Sequence, residues 1–262
     1  MFIARVAVGS EVVFAAVDGI GDTDPDLPTD ARLKVIDVHP FGDITLTGQE
    51  ISGSQARLLA PVLPSKIIAV GRNYAAHAAE MGGDVPAEPM IFLKPNTSVI
   101  GPGAQIRLPA MSQQVEHEAE LAIVIGRMCR EVPEERVDEV ILGYTCANDV
   151  TARDLQKADG QWGRAKGFDT FCPLGPWIAT DVDVADLAIT CYVGDALRQE
   201  SRTSMLVHSV PSLVSWISRV MTLLPGDVIL TGTPAGVGPL VDGDDVEVGI
   251  EGIGILRNEV TA

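Results

Sequence analysis

Residues 115–121 read VEHEAEL and run straight into Ala122-Ile123-Val124-Ile125 before stopping at Gly126. The β-branched run argues for a strand, along which side chains alternate, so Glu116, Glu118 and Glu120 are expected to project from one face. Three carboxylates in one row repel each other. A solvated face would tolerate that, but this strand continues as a core-like segment with no polar alternation, so a bound cation is the better way to neutralise the row. The fold expected of this chain is organised around that strand, and the other segments are read for what completes its acidic site.

Residues 140–145 lead into a second strand ending at Asn148-Asp149. An Asp at a strand end is often a helix N-cap, and Asp149 alone says little. With Glu118 and Glu120 it makes a hard, oxygen-only set suited to Mg²⁺ or Mn²⁺, with room left for water or substrate oxygens. In the following ARDLQ, a helix beginning near Thr151 puts Arg153 and Gln156 on one face, able to look back toward Asp149. Upstream, a buried strand over residues 66–70 delivers GRNYAAHAAEMG, where Asn73 is expected to cap a helical turn. His77 and Glu80 then share one helical face. Such a pair is either a surface hydrogen bond or a general-base dyad, and spacing alone favours the former. Gly71 and Gly82-Gly83 flank it with the hinges a mobile lid would need.

Lys94 enters a loop after an apolar stretch, and Lys166 lies in the Gly- and Pro-punctuated QWGRAKGFDTFCPLGP, where a loop lysine is normally solvated. Near the C-terminus, LLPGDVILTGTPAGVGPL predicts a turn at Pro225-Gly226-Asp227, a buried strand over 228–230 and a loop holding Thr231 and Thr233. Backbone N–H groups and threonine hydroxyls in such a loop can approach a ligand carboxylate. The loop lacks the Lys of a phosphate-binding loop and the G-x-G-x-x-G order of a dinucleotide fold.

The first 60 or so residues hold short alternating segments at 2–8, 12–17 and 33–38, broken by Gly, Asp and Pro, notably GDTDPDLPTD at 21–30. They read as a small β-rich unit, with Pro61 and Pro64 marking a division into 1–62 and 63–262. His39 before Pro40 reads as a surface turn residue. A charged helix start at 133–138, a strand at 187–193 and an amphipathic helix over 210–221, with Leu213, Trp216, Ile217 and Val220 at core spacing, are structural. Residues 242–251 read as an acidic β-turn-β at the surface.

With 262 residues, 46% of them hydrophobic, the chain can bury a sizeable core. Its 36 acidic against 19 basic residues give a net charge of −17, which argues against nucleic acid or an anionic membrane as partner. No apolar run approaches the roughly 18 residues of a membrane-spanning helix, and the N-terminus carries Glu11 and no basic lead-in, unlike a signal peptide. A cytoplasmic protein is expected. Cys129, Cys146, Cys172 and Cys191 show no CxxC spacing and read as reduced, mostly buried thiols.

Five segments in order, GRNYAAHAAEMG, EHEAEL, GYTCANDVTARDLQ, RAKGFDTFCPLGP and LLPGDVILTGTPAGVG, resemble the fumarylacetoacetate hydrolase family over about residues 66–259. The resemblance implies a mixed α/β, mainly β fold, a mixed β-sandwich roll with a small N-terminal β-rich domain and a metal-dependent catalytic domain, commonly dimeric. Position by position it implies Glu118, Glu120 and Asp149 as ligands of Mg²⁺ (or Mn²⁺), with Glu116 outside the set. It implies Lys166 as an enolate-stabilising lysine, Arg153, Gln156 and Thr233 as substrate contacts, and His77 with Glu80 as a water-activating dyad on the lid. The activity implied is hydrolysis of a C–C bond in 3-acylpyruvates or related 1,3-dicarbonyl acids through an enolate. The same chelate serves 2-hydroxyhepta-2,4-diene-1,7-dioate isomerases and oxaloacetate-type decarboxylases of the family, and spacing does not separate the three. The alternative of another class is a metal-binding scaffold without chemistry, against which the intact ligands, Lys166 and dyad all weigh. The expected partners are a small 2-oxo acid and a second copy of the chain.

Overall fold

The computed structural model describes residues 1–20 and 26–262; part of the expected 21–30 break lies outside the described residues. The fold is mainly β. At its centre Ala119–Ile125 is buried at every position and pairs antiparallel with Ile141–Asn148 on one side and Val228–Leu230 on the other. Its alternation divides the core. Leu121, Ile123 and Ile125 pack into one hydrophobic cluster, while Ala122 and Val124 pack into another with Ile67, Ala69, Cys172 and Leu174. A strand covered on both faces needs such a continuous apolar run.

From Val228–Leu230 the sheet continues through the parallel Ile67–Gly71 to Met90–Lys94. From Ile141–Asn148 it continues through Cys172–Ala179 to Phe2–Val8, Glu11–Asp18, Arg32–Ile36 and Leu46–Ser52. The alternating N-terminal segments are thus strands of the same sheet, joined where Ile3 pairs with Ile178. His39 sits in an exposed turn, its Nδ1 accepting from the Phe41 N–H at 3.1 Å.

Three expectations need correction. The acidic strand is two strands, Val115–His117 and Ala119–Ile125, which belong to different sheets. The chain pivots at Glu118 because the Asn148 side-chain oxygen takes the Glu118 N–H at 2.9 Å, in place of a ladder carbonyl. The C-terminal acidic segment is not simply surface. Asp245–Ile250 lies inside a five-stranded sheet between Ala188–Val193 and Gly254–Thr261, with Val246, Val248 and Ile250 buried and the acidic residues alternating outward. The helix Val210–Val220, capped by Ser209, buries Leu213, Val214 and Ile217, but Val220 is its last residue and is exposed.

All four cysteines are free and buried, and no helix among the described residues is long and apolar enough to cross a membrane.

Asp227, read in sequence only as a turn residue, is fully buried just before the strand Val228–Leu230. Its carboxylate accepts from Ser65 Oγ at 2.6 Å, Leu224 N at 2.7 Å and Lys66 N at 3.2 Å, and pairs with Lys66 Nζ. Asp227→Ala strands these donors and is expected to cost about 3–5 kcal/mol, against about 1 kcal/mol for Ser65→Ala. Urea unfolding midpoints check the difference; equal shifts would show that Asp227 does not hold these groups together.

Candidate active site

The sheet register builds the acidic site. Ala119 pairs with Asn148, so Asp149, the next residue, falls beside Glu118 and its N–H reaches the Glu118 carbonyl at 2.8 Å. Glu118, Glu120 and Asp149 are 4%, 1% and 1% exposed, and each offers a carboxylate oxygen within 4.8 Å of the others. Carboxylates withdrawn from water need partners. Lys166 Nζ lies 2.6 Å from both Glu118 Oε2 and Asp149 Oδ2. Lys94 Nζ lies 2.5 Å from Asp149 Oδ1, and Arg153 Nη2 2.5 Å from Glu118 Oε1. Among the described residues Glu120 has only the Gly232 N–H, at 2.6 Å. Gly232 has a φ of +103°, and a Cβ there would stand 2.8 Å from Asn73 Cβ, so that N–H depends on glycine.

The electrostatics differ among the acids. Burial pushes Glu118 up, but Lys166, Arg153 and His77 outweigh it and hold the carboxyl well below the usual range. Burial, then the charges of Asp149 and Glu118, push Glu120 well above it. Burial alone would lower Lys166, yet Asp149 and Glu118 hold it above its ordinary value. The Tyr74 hydroxyl and the Asn148 side-chain nitrogen are buried with no partner among the described residues, and burial, then the Glu120 charge, raise Tyr74. Three clustered hard oxygens, an undercompensated Glu120 and unpaired polar atoms nearby fit a small divalent cation with a polar ligand.

Several placements differ from those expected. Lys166 closes the short helix Gly163–Lys166 and is buried, because its ammonium pairs with two carboxylates and lies 5.2 Å from the centre of the Phe92 ring. Arg153 and Gln156 do share a face of the helix Arg153–Asp159, joined at 2.6 Å. Arg153, however, turns to Glu116 (2.6 Å) and Glu118, not to Asp149, which the two lysines already occupy. Glu116 is held by Arg153 and by Gln114 Nε2 at 2.6 Å, apart from the three clustered acids. Asn73 caps no helix. Its side chain bonds His208 and Thr231 backbone groups, and the helix Ala75–Glu80 starts after Tyr74. Gly71 is no hinge either, since a Cβ there would meet Met90 and Trp162 at 2.7 Å.

His77 is buried, with Nδ1 3.1 Å from Glu80 Oε2. Glu80 Oε1 accepts the Gly236 N–H at 3.0 Å. The loop of Thr231 and Thr233 therefore touches both the acidic cluster, through Gly232, and the His–Glu pair, through Gly236. Thr233 is buried, its Oγ1 2.7 Å from Gln199 Nε2. A cleft of about 280 Å³ lined by Glu80, Met81, Glu116, Arg153, Lys157 and Val237 opens between the dyad helix and Arg153. A larger one, about 800 Å³ around Tyr144 and Val210, holds none of these residues and lies outside the chemistry. Lys94 and Tyr74 are the site residues that spacing did not single out; Lys94's one signal was a cation closing an apolar strand.

The fumarylacetoacetate (FAA) hydrolase C-terminal family matches residues 66–261, and an Rv2993c-like N-terminal family matches residues 1–61. Protein Rv2993c of Mycobacterium tuberculosis is 54% identical over 99% of this chain and 98% of its own. The crystal structure of 5-carboxymethyl-2-hydroxymuconate delta-isomerase from Mycobacterium smegmatis superposes with a TM-score of 0.92 at 55% identity, covering 100% of this chain and 99% of that one. The mitochondrial oxaloacetate tautomerase Fahd2a of Rattus norvegicus is 43% identical over 80% of this chain and 71% of its own. Maleylpyruvate hydrolase from Sphingobium sp. SYK-6, solved with manganese(II) and pyruvate, superposes at a TM-score of 0.78 with 33% identity, covering 100% and 99%. On the extent of these matches, the chain belongs to the fumarylacetoacetate hydrolase family.

Proposed function

We propose that this chain is a metal-dependent hydrolase cleaving a C–C bond in 3-acylpyruvates or related 1,3-dicarbonyl acids, with Glu118, Glu120 and Asp149 as ligands of Mg²⁺ or Mn²⁺. The observation that carries the proposal is the buried His77–Glu80 pair, whose Glu80 is bonded to Gly236 in the same loop that meets Glu120 through Gly232. When bound, the cation supplies a Lewis acid and a template for the carboxylate and 2-oxo oxygens of the substrate.

The chain's own groups do the rest. Because Nδ1 of His77 faces the Glu80 carboxylate, it carries the proton, and Nε2 is left as the base that takes a proton from water. The water oxygen adds to the distal carbonyl. As the C–C bond breaks, the bonding pair leaves as the pyruvate enolate, whose charge develops near the Lys166 ammonium. The imidazolium then returns its proton to the enolate carbon. Arg153 has N–H groups beyond those bonded to Glu116, Glu118 and Gln156, and with Gln156 and Thr233 it holds the substrate's acidic end. The expected partner is a small 2-oxo acid, the assembly a homodimer and the compartment the cytoplasm, with residues 1–62 as a small N-terminal β-rich domain that shares its sheet with the catalytic domain of residues 63–262.

A second reading keeps the binding site and omits the attack of water: proton transfer in an isomerase or tautomerase, or loss of CO₂ from an oxaloacetate-like acid. Its support is that the isomerase and the tautomerase named above are more similar to this chain than the hydrolase. Metal binding without turnover would leave the scaffold.

With Mg²⁺ or Mn²⁺ added, pyruvate release from acetylpyruvate is expected in a coupled assay. Enol–keto conversion of oxaloacetate without C–C cleavage, followed by ultraviolet absorbance, would put the second reading first, and metal binding with no turnover on either acid or on diene diacids would favour the scaffold. His77→Ala is expected to lower kcat by about 10² to 10⁴ with calorimetric metal affinity unchanged; near-native hydrolysis would remove the dyad. Glu118→Gln is expected to weaken metal affinity and activity together, and full activity at unchanged metal dependence would remove Glu118 as a ligand.

A further inference from the structure

Gln199 belongs to none of the segments that carry the family resemblance. It lies in Ala196–Arg202, at the edge of the five-stranded sheet, and is the only residue of that strand withdrawn from solvent, at 0% exposed. A buried primary amide has both donor and acceptor positions to fill. Oε1 accepts the Ala119 N–H at 3.0 Å and faces His117 Nδ1 at 3.0 Å. Nε2 lies 2.8 Å from the Pro234 carbonyl and 2.7 Å from Thr233 Oγ1.

The two ends of an amide are distinguished by their partners. A backbone N–H can only donate and a carbonyl can only accept, so Ala119 and Pro234 fix the oxygen and nitrogen of Gln199 without ambiguity. The bond to Thr233 therefore runs from Gln199 to the threonine. Its hydroxyl is an acceptor toward the protein, and among the described residues no bond uses its proton. Thr233 also stands between Gly232, whose N–H meets Glu120, and Gly236, whose N–H meets Glu80. Gly236 holds the loop against this strand, since a Cβ there would stand 2.1 Å from the Arg198 carbonyl oxygen.

We infer that Gln199 is a positioning residue that obliges the Thr233 hydroxyl to donate its proton to an acceptor oxygen of the substrate, so that the site selects an ionised carboxylate there. The inference rests on Thr233 as a substrate contact, proposed above. Gln199 holds the carboxylate-bearing strand through Ala119 at the same time, so one amide sets both the strand and the direction of the hydroxyl.

The test uses oxalate binding to the Mn²⁺-loaded protein by calorimetry, which needs no turnover. Thr233→Val is expected to weaken oxalate about tenfold or more, as for a hydrogen bond to a charged group, while Thr233→Ser keeps native affinity. Gln199→Glu keeps an acceptor for Ala119 but turns the threonine proton inward; Gln199→Asn, one methylene shorter, withdraws the donor without adding charge. Both are expected to weaken oxalate to a similar extent, and either combined with Thr233→Val is expected to bind no worse than the weaker single variant. Additive losses would overturn the inference, because added charge or a distorted strand would then account for the Gln199 effect. Native affinity in the variants at position 199 beside a weakened Thr233→Val would also overturn it. Native affinity in Thr233→Val would instead remove Thr233 as a substrate contact.

Discussion

The structure depends on holding three carboxylates together away from water. At an effective dielectric of about 20, two unit charges about 5 Å apart repel by about 3 kcal/mol, and burial adds the loss of hydration to each. Glu118, Glu120 and Asp149 stay together because Lys94, Lys166 and Arg153 reach them from three separate elements. The compensation is uneven. Asp149 faces two lysines, and Glu118 faces Lys166 and Arg153. Glu120 has one backbone N–H, and its carboxyl is pushed up by burial and by its two neighbours. It is therefore the acid whose charge a divalent cation bound there would offset most.

The parts of this site visible in the sequence are those set by local periodicity. Alternation placed Glu118 and Glu120 on the same side, because a strand repeats every two residues whatever surrounds it. Helical spacing placed Arg153 beside Gln156, and His77 beside Glu80, for the same reason. What periodicity does not carry is the target of a long side chain. Arg153 turned to Glu116 and Glu118, Lys94 closed an apolar strand and met an acid far along the chain, and Lys166 looked like a solvated loop residue. Asn73 looked like a cap, yet two distant loops claimed its amide. Each outcome is set by how the sheets curve and which strands become neighbours, and for Lys166 the family resemblance alone carried the reading.

The same distinction applies to the fold. The N-terminal alternating segments were legible as strands, but their partner was not, because Ile3 meets Ile178 across most of the chain. That pairing has a consequence for the site. Cys172–Ala179 carries Phe2–Val8 on one edge and Ile141–Asn148 on the other, and Asp149 follows the latter directly. Fully buried Trp177 anchors the shared strand, donating to the Ile253 carbonyl at 2.6 Å with Phe2 edge-on to its ring. Residues 1–18 thus flank the strand next to the one that Asp149 follows, without lining the acidic cluster.

Assembly of the dyad is tied to the threonine loop. The His77–Glu80 contact is local to one short helix and would form wherever that helix lay. Glu80, however, also takes the Gly236 N–H, and Asn73, just before the helix, bonds the Thr231 carbonyl. Outward movement of Ala75–Glu80 would break the first of these bonds. Gly82, with a φ of +72° and open space around it, is where the chain can turn at the far end of the helix, whereas the packed Gly71 fixes the near end. The His–Glu pair and the acidic cluster are therefore joined through one loop, which meets Glu80 with the Gly236 N–H and Glu120 with the Gly232 N–H.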